Sequence, residues 1–460
     1  MANNSIAKLF KQYDVRGTYP TLNAPVAYWV ARQLAETTLE GQGPVALMHD
    51  TRLSSPELYR AAYQGLRDGG VEAIPLALGS TDMLYAACML HDCAGIMITA
   101  SHNPAPDNGM KIVRSIPHMV GLNSGLDIIR NEVLAKLDTD ETPTDFAEVP
   151  VNAEAQEKVA KYFQNICQSI VPELPQLKIV IDAGNGMGGE VMRRVVAAQY
   201  PEVEWIDLFW DLDGRFPNRG PDPSKYENLA HLRAAVKEHG AHFGAAFDGD
   251  ADRAFFVDEQ GEIVHADFVS GLIAESLLEP GDSQPLITPE SSSRVFEEVA
   301  GQFGTNVVRT PQGHTFVKAA MLEHGGVFGG EYSGHFYFRE FHNMDSGALA
   351  IVVLASLLNP EAASLSERVA KYRAHYFITP SINLPIDPEQ DFESIKSTLK
   401  QKYVDAEHSE LDGLTITYSD WKFNLRPSNT EPKLRLVVEC LGEDKLDEKL
   451  EEVRGHIREA

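Results

Sequence analysis

The sequence predicts several layered α/β domains followed by a smaller α+β domain, and three features point that way. A chain of 460 residues is too long for one hydrophobic core, since single cores stop growing at roughly 250–300 residues. Short apolar strands alternate with amphipathic helices over most of its length, as in layered α/β units. From Ile378 the character changes: Pro380, Pro385 and Pro388 precede a mixed run of helix and strand candidates.

In the first third, strands are expected at Val45 to His49, Val71 to Leu76 and Gly95 to Thr99. Between the first two, Ser55-Pro56-Glu57 offers an N-cap and a first-turn proline. Leu58, Ala61, Ala62 and Leu66 then recur at helical spacing until Gly69-Gly70 stops the helix. After the polar stretch Asp138 to Glu148, a strand at Lys178 to Asp182 runs into the glycine-rich segment Ala183 to Gly189. That segment reads as a phosphate-binding turn or a tight strand-to-helix turn. The second is preferred, because dinucleotide spacing is absent. A strand at Phe243 to Phe247 and a hairpin from Ala254 to His265 around Gly261 complete this unit. A third α/β stretch holds a helix at Phe268 to Leu278, strands near Leu286 and Val307, and the turn-rich segment Gly325 to Gly334. A charged helix from Glu443 to Glu459 ends the chain.

Hydrophobic residues at 43% and charged residues at 23% are ordinary for globular proteins and argue against long disorder. A formal charge of −27 repels nucleic-acid backbones and anionic membrane surfaces, so neither is an expected partner. An acidic protein that binds an anion must gather its cations locally, which makes basic clusters informative. Cys88, Cys93, Cys167 and Cys440 offer no disulfide framework and no zinc spacing, which fits the reducing cytoplasm. The apolar run Gly347 to Leu358 is too short to span a bilayer and reads as a buried helix; Met1 to Gly17 lacks a signal-peptide pattern.

Four segments carry chemistry. In Asp248-Gly249-Asp250-Ala251-Asp252-Arg253, directly after an apolar strand, three carboxylates alternate around a glycine and can converge on one ion. Hard oxygen ligands favour Mg²⁺, while Arg253 stands where a calcium loop needs its next ligands. Thr99-Ala100-Ser101-His102-Asn103-Pro104 also follows a buried strand, where open α/β sheets present binding groups. Ser101 is a candidate nucleophile, with His102 or a metal to activate it. No G-x-S-x-G elbow surrounds it, which disfavours an esterase triad. Lys111, in Asn108-Gly109-Met110-Lys111, is close enough in sequence to reach the same pocket.

The third segment, Gly330-Glu331-Tyr332-Ser333-Gly334-His335, places Glu331, Ser333 and His335 at alternating positions, a set suited to sugar hydroxyls or, for Glu331, to a loop carboxylate bonded to nearby amides. The fourth, Arg426-Pro427-Ser428-Asn429-Thr430-Glu431-Pro432, reads as a phosphate clamp: Arg426 grips phosphate bidentately while Ser428, Asn429 and Thr430 add donors. Tyr13-Asp14-Val15-Arg16-Gly17 and Gly313-His314-Thr315-Phe316-Val317-Lys318 are weaker candidates.

Together these loops, in this order, resemble the α-D-phosphohexomutase superfamily, and its phosphomannomutase/phosphoglucomutase branch most closely. The quoted segments are joined by DTRLSS at Asp50, DAGNGMGG at Asp182 and DGRFPNRGPDP at Asp213. The resemblance implies three related α/β domains with mixed sheets plus a smaller C-terminal α+β domain, heart-shaped around a central cleft. The expected divisions are 1–150 with the phosphoserine loop, 151–258 with the metal loop, 259–373 with the sugar loop and 374–460 with the phosphate-binding loop. It further implies a phosphorylated hexose substrate, and a phosphoserine at Ser101 that shares Mg²⁺ with Asp248, Asp250 and Asp252. Mannose or glucose 1-phosphate and 6-phosphate would interconvert through a hexose 1,6-bisphosphate. By the same resemblance Tyr13, Arg16, Arg253, Gly313, Glu331, Ser333, His335, Arg426, Ser428, Asn429 and Thr430 would bind substrate. Lys111, His314 and then His102 are the candidates for proton transfer, in a monomer or homodimer.

Two departures stand out: Tyr332 where methionine is common, and Ala251 in place of a frequent glycine. A lysine that some relatives carry near the sugar is missing from Pro289 to Arg294, which offers only Arg294 as a cation. A phosphoglucosamine mutase, with its different sugar loop, ranks lower. A metal-dependent sugar phosphatase would use the same serine and metal, and a nonenzymatic sugar-phosphate sensor would need neither.

Overall fold

Parallel pairing of the strand Val45–His49 with Ala94–Ile98 on one side and Ala73–Leu78 on the other builds the centre of the first sheet. The computed structural model describes residues 2–139, 142–359, 361–385, 391–428 and 433–459. They form two compact units, Met1–Val264 with Ser333–Leu365, and His265–Tyr332 with Ser366–Ala460.

In the first unit, every residue of Val45–His49 and Ala94–Ile98 is buried, as suits central strands covered on both faces. The strand Asp107–Ser115 joins Ala94–Ile98 antiparallel and carries Val15–Thr18 on its other edge. The helices Ala24–Gln33 and Ser55–Asp68 cover this sheet. They approach so closely at Gly65 that a Cβ there would lie 2.2 Å from the Tyr28 carbonyl oxygen. Two local expectations are corrected. The N-cap is Ser54, whose hydroxyl accepts from Asn108 Nδ2 at 2.8 Å and caps no helix N–H, while the Ser55 hydroxyl donates to Asp50 Oδ1 at 2.6 Å. The next strand starts at Ala73 rather than Val71, because Val71 N–H still closes the helix end on the Leu66 carbonyl.

The second sheet runs in the order Ile263–Val264, Ala254–Asp258, Phe243–Phe247, Lys178–Asp182, Glu204–Leu208. Lys178–Asp182 is parallel to both neighbours, and the expected hairpin pairs Phe256 with Val264. The glycine-rich segment is a tight turn: Gly184 has φ +53°, and a Cβ on it would lie 2.6 Å from the Arg219 guanidinium carbon. Arg219 binds Asp182 Oδ2 at 2.8 Å and the Phe247 carbonyl at 2.7 Å, pinning two strand ends together. The apolar helix is Gly347–Leu357, buried from Gly347 through Ala355. Among the described residues no helix is long and apolar enough to cross a membrane.

In the second unit, Leu286–Pro289 lies parallel between Val307–Thr310 and Phe328–Gly330. Helices Ala266–Leu277, Val295–Phe303 and His314–His324 accompany these strands. The C-terminal part is an antiparallel sheet built around Trp421–Pro427 and Lys433–Cys440, with helices Phe392–Lys402 and Leu446–Glu459. The apolar cluster of this part includes Ile395, Leu399, Phe423, Leu436 and Val453.

Gly65→Ala is expected to force the two covering helices apart and to lower unfolding free energy by about 1–3 kcal/mol, as overpacking does; urea denaturation of the purified variant measures it.

Candidate active site

Asp50 and Thr99 leave the first sheet together, since His49 pairs with Ile98 and the Asp50 N–H donates to the Ile98 carbonyl at 3.0 Å. The Asp50 carboxylate accepts from Thr99 Oγ1 at 2.7 Å, Ser55 Oγ at 2.6 Å, and Arg52 N and Nε at 3.0 Å each. Arg52 is 1% exposed. Its guanidinium donates to the carbonyls of Ser101, Asn103 and Pro104 at 2.7 Å and of Asp107 at 2.9 Å. The loop after Thr99 therefore wraps one arginine. Ser101 sits in it at φ +51°, its N–H donating to Thr99 Oγ1 at 2.9 Å. A left-handed serine costs about 1–3 kcal/mol and persists only where its surroundings hold it. From sequence alone Asp50 and Arg52 carry no assigned role; the signal for them is an Asp-x-Arg set directly after the apolar strand Val45–His49.

The acidic loop comes up against the same serine. A Cβ on Gly249 would lie 2.5 Å from the Ser101 carbonyl oxygen, so glycine is required for the approach. Beneath it, the Met187 N–H donates to the Gly249 carbonyl at 3.0 Å, and a Cβ on Gly186 would strike that oxygen at 2.7 Å. Ser101 Oγ donates to Asp248 Oδ2 at 2.7 Å and lies 3.3 Å from His102 Nδ1. One ligand atom from each of Asp248, Asp250 and Asp252 falls within 4.8 Å of the others, all three residues buried. Ala251 holds φ +65°, which explains why glycine suits this position and what alanine costs there.

Cations and donors balance part of this charge. Lys111 Nζ lies 2.7 Å from Asp250 Oδ2 and also donates to Asp252, and Thr81 Oγ1 donates to Asp250 Oδ2 at 2.5 Å. Arg253 Nε is 3.9 Å from both Asp248 and Asp252. Burial, followed by the Asp250 and Asp252 charges, raises the Asp248 pKa well above the usual carboxylate range. Burial pushes Asp250 the same way, but Lys111 and Thr81 overcome it and hold it low. Burial also opposes the Lys111 ammonium, yet the three aspartates keep its pKa raised. His102 is driven well below its ordinary value by burial and then by Arg253, Arg16 and Lys111, which leaves its ring neutral. Asp250 Oδ1 and Asp252 Oδ1 are buried without a hydrogen-bond partner. Hard carboxylate oxygens in that condition fit a divalent cation.

Arg16 reaches Asn103 Oδ1 at 3.1 Å and Asp14 at 2.5 Å, beside the serine loop, while Tyr13 is half-buried in the preceding bend. The expected alternation from Glu331 to His335 is corrected: Tyr332 and Ser333 form a turn and Gly334 takes φ +85°, so no extended strand aligns the three side chains. His335 is buried, its Nδ1 2.7 Å from Asp345 Oδ2, and this pair forms a second close group with Asp252.

The second unit holds the remaining candidates. Gly313, at φ +139°, opens the helix His314–His324, and His314 Nδ1 lies 3.3 Å from Lys318 Nζ. Glu331 is 1% exposed and accepts from the Gln312 side-chain amide. Arg426 is buried with Nε 3.5 Å from Asp412 Oδ2, and the Ser428 N–H donates to the Lys433 carbonyl at 2.8 Å. Asn429 and Thr430 lie outside the described residues. The segment Pro289 to Arg294 carries only Arg294, as expected, and that residue is committed to Glu439 at 2.8 Å. Cations from outside the segment reach it, Arg309 through the Pro289, Ser292 and Ser293 carbonyls and Lys422 through the Ser292 carbonyl from a strand distant in sequence. Burial, then the Arg309 charge, brings the Lys422 pKa down to about 8.

Comparison with known proteins assigns the class. Four models described as phosphoglucomutase/phosphomannomutase match consecutively: alpha/beta/alpha domain I at residues 7–133, domain II at 144–261, domain III at 265–376 and the C-terminal domain at 382–456. A protein named "Phosphohexose mutases" from Xanthomonas campestris pv. campestris is 36% identical over 442 residues, covering 94% of this chain and 95% of that one. A phosphomannomutase/phosphoglucomutase from Pseudomonas syringae pv. tomato is 34% identical over 437 residues, covering 94% and 91%. A crystal structure of a phosphoglucomutase/phosphomannomutase family protein from Burkholderia thailandensis superposes with a TM-score of 0.83 at 29% identity, covering 98% and 97%. Fold and relatives define an enzyme of the intramolecular phosphotransferase type. The chain belongs to the phosphoglucomutase/phosphomannomutase family.

Arg52→Met is expected to leave Asp50 buried and uncompensated, together with four carbonyls, and to cost about 3–5 kcal/mol of stability in thermal or chemical denaturation. Lys422 supplies a pH signature. With an unfolded pKa of 10.5 and a folded pKa of about 8, the unfolded state binds more protons between these values, so this group makes stability rise with pH across that window. Lys422→Met is expected to flatten the rise, read as the wild-type minus variant difference in unfolding free energy from pH 8 to 10.5.

Proposed function

We propose that this protein interconverts hexose 1-phosphate and hexose 6-phosphate, of mannose or glucose, through a phosphoserine at Ser101 and a hexose 1,6-bisphosphate. The observation that carries this reading is the 2.7 Å contact between Ser101 Oγ and Asp248 inside the buried aspartate trio. Phosphoryl transfer asks a protein mainly for positioning and charge neutralisation, and both are built around this one hydroxyl. Asp248, Asp250 and Asp252 would hold Mg²⁺, which when bound neutralises charge on the transferring phosphoryl oxygens.

In the first half-reaction the bond between Ser101 Oγ and phosphorus breaks while the free sugar hydroxyl bonds to phosphorus. The hydroxyl proton leaves to a neutral base. His102, with its depressed pKa, suits that role beside Ser101, whereas Lys111, held cationic by the aspartates, suits charge neutralisation. The second half-reaction returns the other phosphate of the bisphosphate to Ser101. Arg16 and Arg253 would bind phosphate, Tyr13, Glu331, Ser333 and His335 the sugar, and Gly313 and His314 the reacting end. Arg426, Ser428, Asn429 and Thr430 would take the phosphate that is not reacting. Domains divided at 1–150, 151–258, 259–373 and 374–460 would each contribute one of the four binding loops. All four cysteines are free thiols, which supports a cytoplasmic enzyme; it would work as a monomer or homodimer.

Incubation with mannose 1-phosphate or glucose 1-phosphate, Mg²⁺ and a trace of hexose 1,6-bisphosphate is expected to give the 6-phosphate; free phosphate without it would instead indicate a phosphatase. Ser101→Ala is expected to reduce turnover by about a thousand-fold or more, and Asp250→Asn or chelation by nearly as much. Arg426→Ala is expected mainly to raise KM.

A further inference from the structure

Gln312 stands between Pro311 and Gly313 at the entrance of the helix His314–His324, and it meets three segments of the second unit at once. Its side-chain Oε1 accepts from Ser291 Oγ at 2.8 Å, which fixes the amide so that its NH₂ faces the Glu331 carboxylate. Its backbone N–H donates to Asp412 Oδ2 at 3.1 Å, and the same oxygen lies 3.5 Å from Arg426 Nε. One residue thus connects the sugar-loop carboxylate by its side chain and the clamp arginine by its backbone.

The chemistry of Glu331 makes this connection consequential. A carboxylate only 1% exposed needs fixed donors, and the Gln312 amide occupies a lone pair of Oε2. A carboxylate accepts at about four lone-pair sites, of which the Gln312 amide takes one and so sets the orientation of the group. Asp412, pushed up by burial and lowered by Arg426, restrains the guanidinium from the other side.

We propose that Gln312 is a positioning residue for substrate recognition: it aims the Glu331 carboxylate at the sugar hydroxyls and, through Asp412, ties that aim to the Arg426 phosphate clamp. This rests on the mutase reading above. Gln312 acts through Glu331, so removing it should weaken hexose phosphate binding and leave the chemistry at Ser101 largely intact.

The test compares wild type, Gln312→Ala, Gln312→Asn, Glu331→Ala and the Gln312→Ala/Glu331→Ala double variant, each checked for an unchanged melting profile, with mannose 1-phosphate and glucose 1-phosphate as substrates. Wild-type formation of 6-phosphate tests the mutase reading separately. The expected result is a KM raised about ten-fold by Gln312→Ala, and equally by the shorter amide of Gln312→Asn, with kcat within about three-fold. In the Glu331→Ala background Gln312→Ala should add nothing, because contacting residues that act as a unit are non-additive. An unchanged KM, or losses that multiply in the double variant, would overturn the proposal.

Discussion

Every feature of the serine site depends on a buried arginine that holds backbone rather than substrate. Arg52 spends its guanidinium on four carbonyls of the 101–107 loop and on Asp50, and Asp50 in turn anchors Thr99 and Ser55. A guanidinium's planar fork and permanent charge suit it to gathering carbonyls in a dry interior. The carbonyls converge inward, the chain turns through a left-handed serine, and Ser101 Oγ is left facing the aspartate loop. A lysine, a point charge with a rotating head, would not impose that curvature.

The second constraint is electrostatic. Three buried carboxylates within one ion's reach repel one another, and the nearby Lys111 and Arg253 do not cancel them all. The imbalance appears in the opposite directions taken by Asp248 and Asp250: one is pushed toward the protonated form while the other keeps its charge beside Lys111. Such opposed shifts in one buried cluster agree with the proposal that it takes up positive charge beside a phosphoryl group. Glycine at 249 lets this cluster reach the serine, because any side chain there would collide with the Ser101 carbonyl.

In the second unit the same economy of backbone and polar side chains recurs at a different loop. Gln312, Glu331, Asp412 and Arg426 form a connected chain in which the carboxylate proposed for the sugar and the arginine proposed for phosphate are held by one another. Lys422 shows the limit of reading segments singly, since it brings a cation to Ser292 from a strand about 130 residues further along the chain.

The strands Val45–His49 and Lys178–Asp182 were legible in the sequence to the residue, as were the buried helix from Gly347, the convergence of the aspartates and the candidacy of Ser101. Those are local matters: apolar runs, turn glycines and charges spaced a few residues apart act over distances the chain order still describes. Folding alone reveals that Arg52 cages the serine loop, that Lys111 pairs with Asp250 and Asp252, that Glu331 to His335 turn rather than alternate, and that Gln312 joins Glu331 to Asp412. Each of these depends on groups brought together by packing, where the need to satisfy buried polar atoms selects the partner and the sequence separation does not.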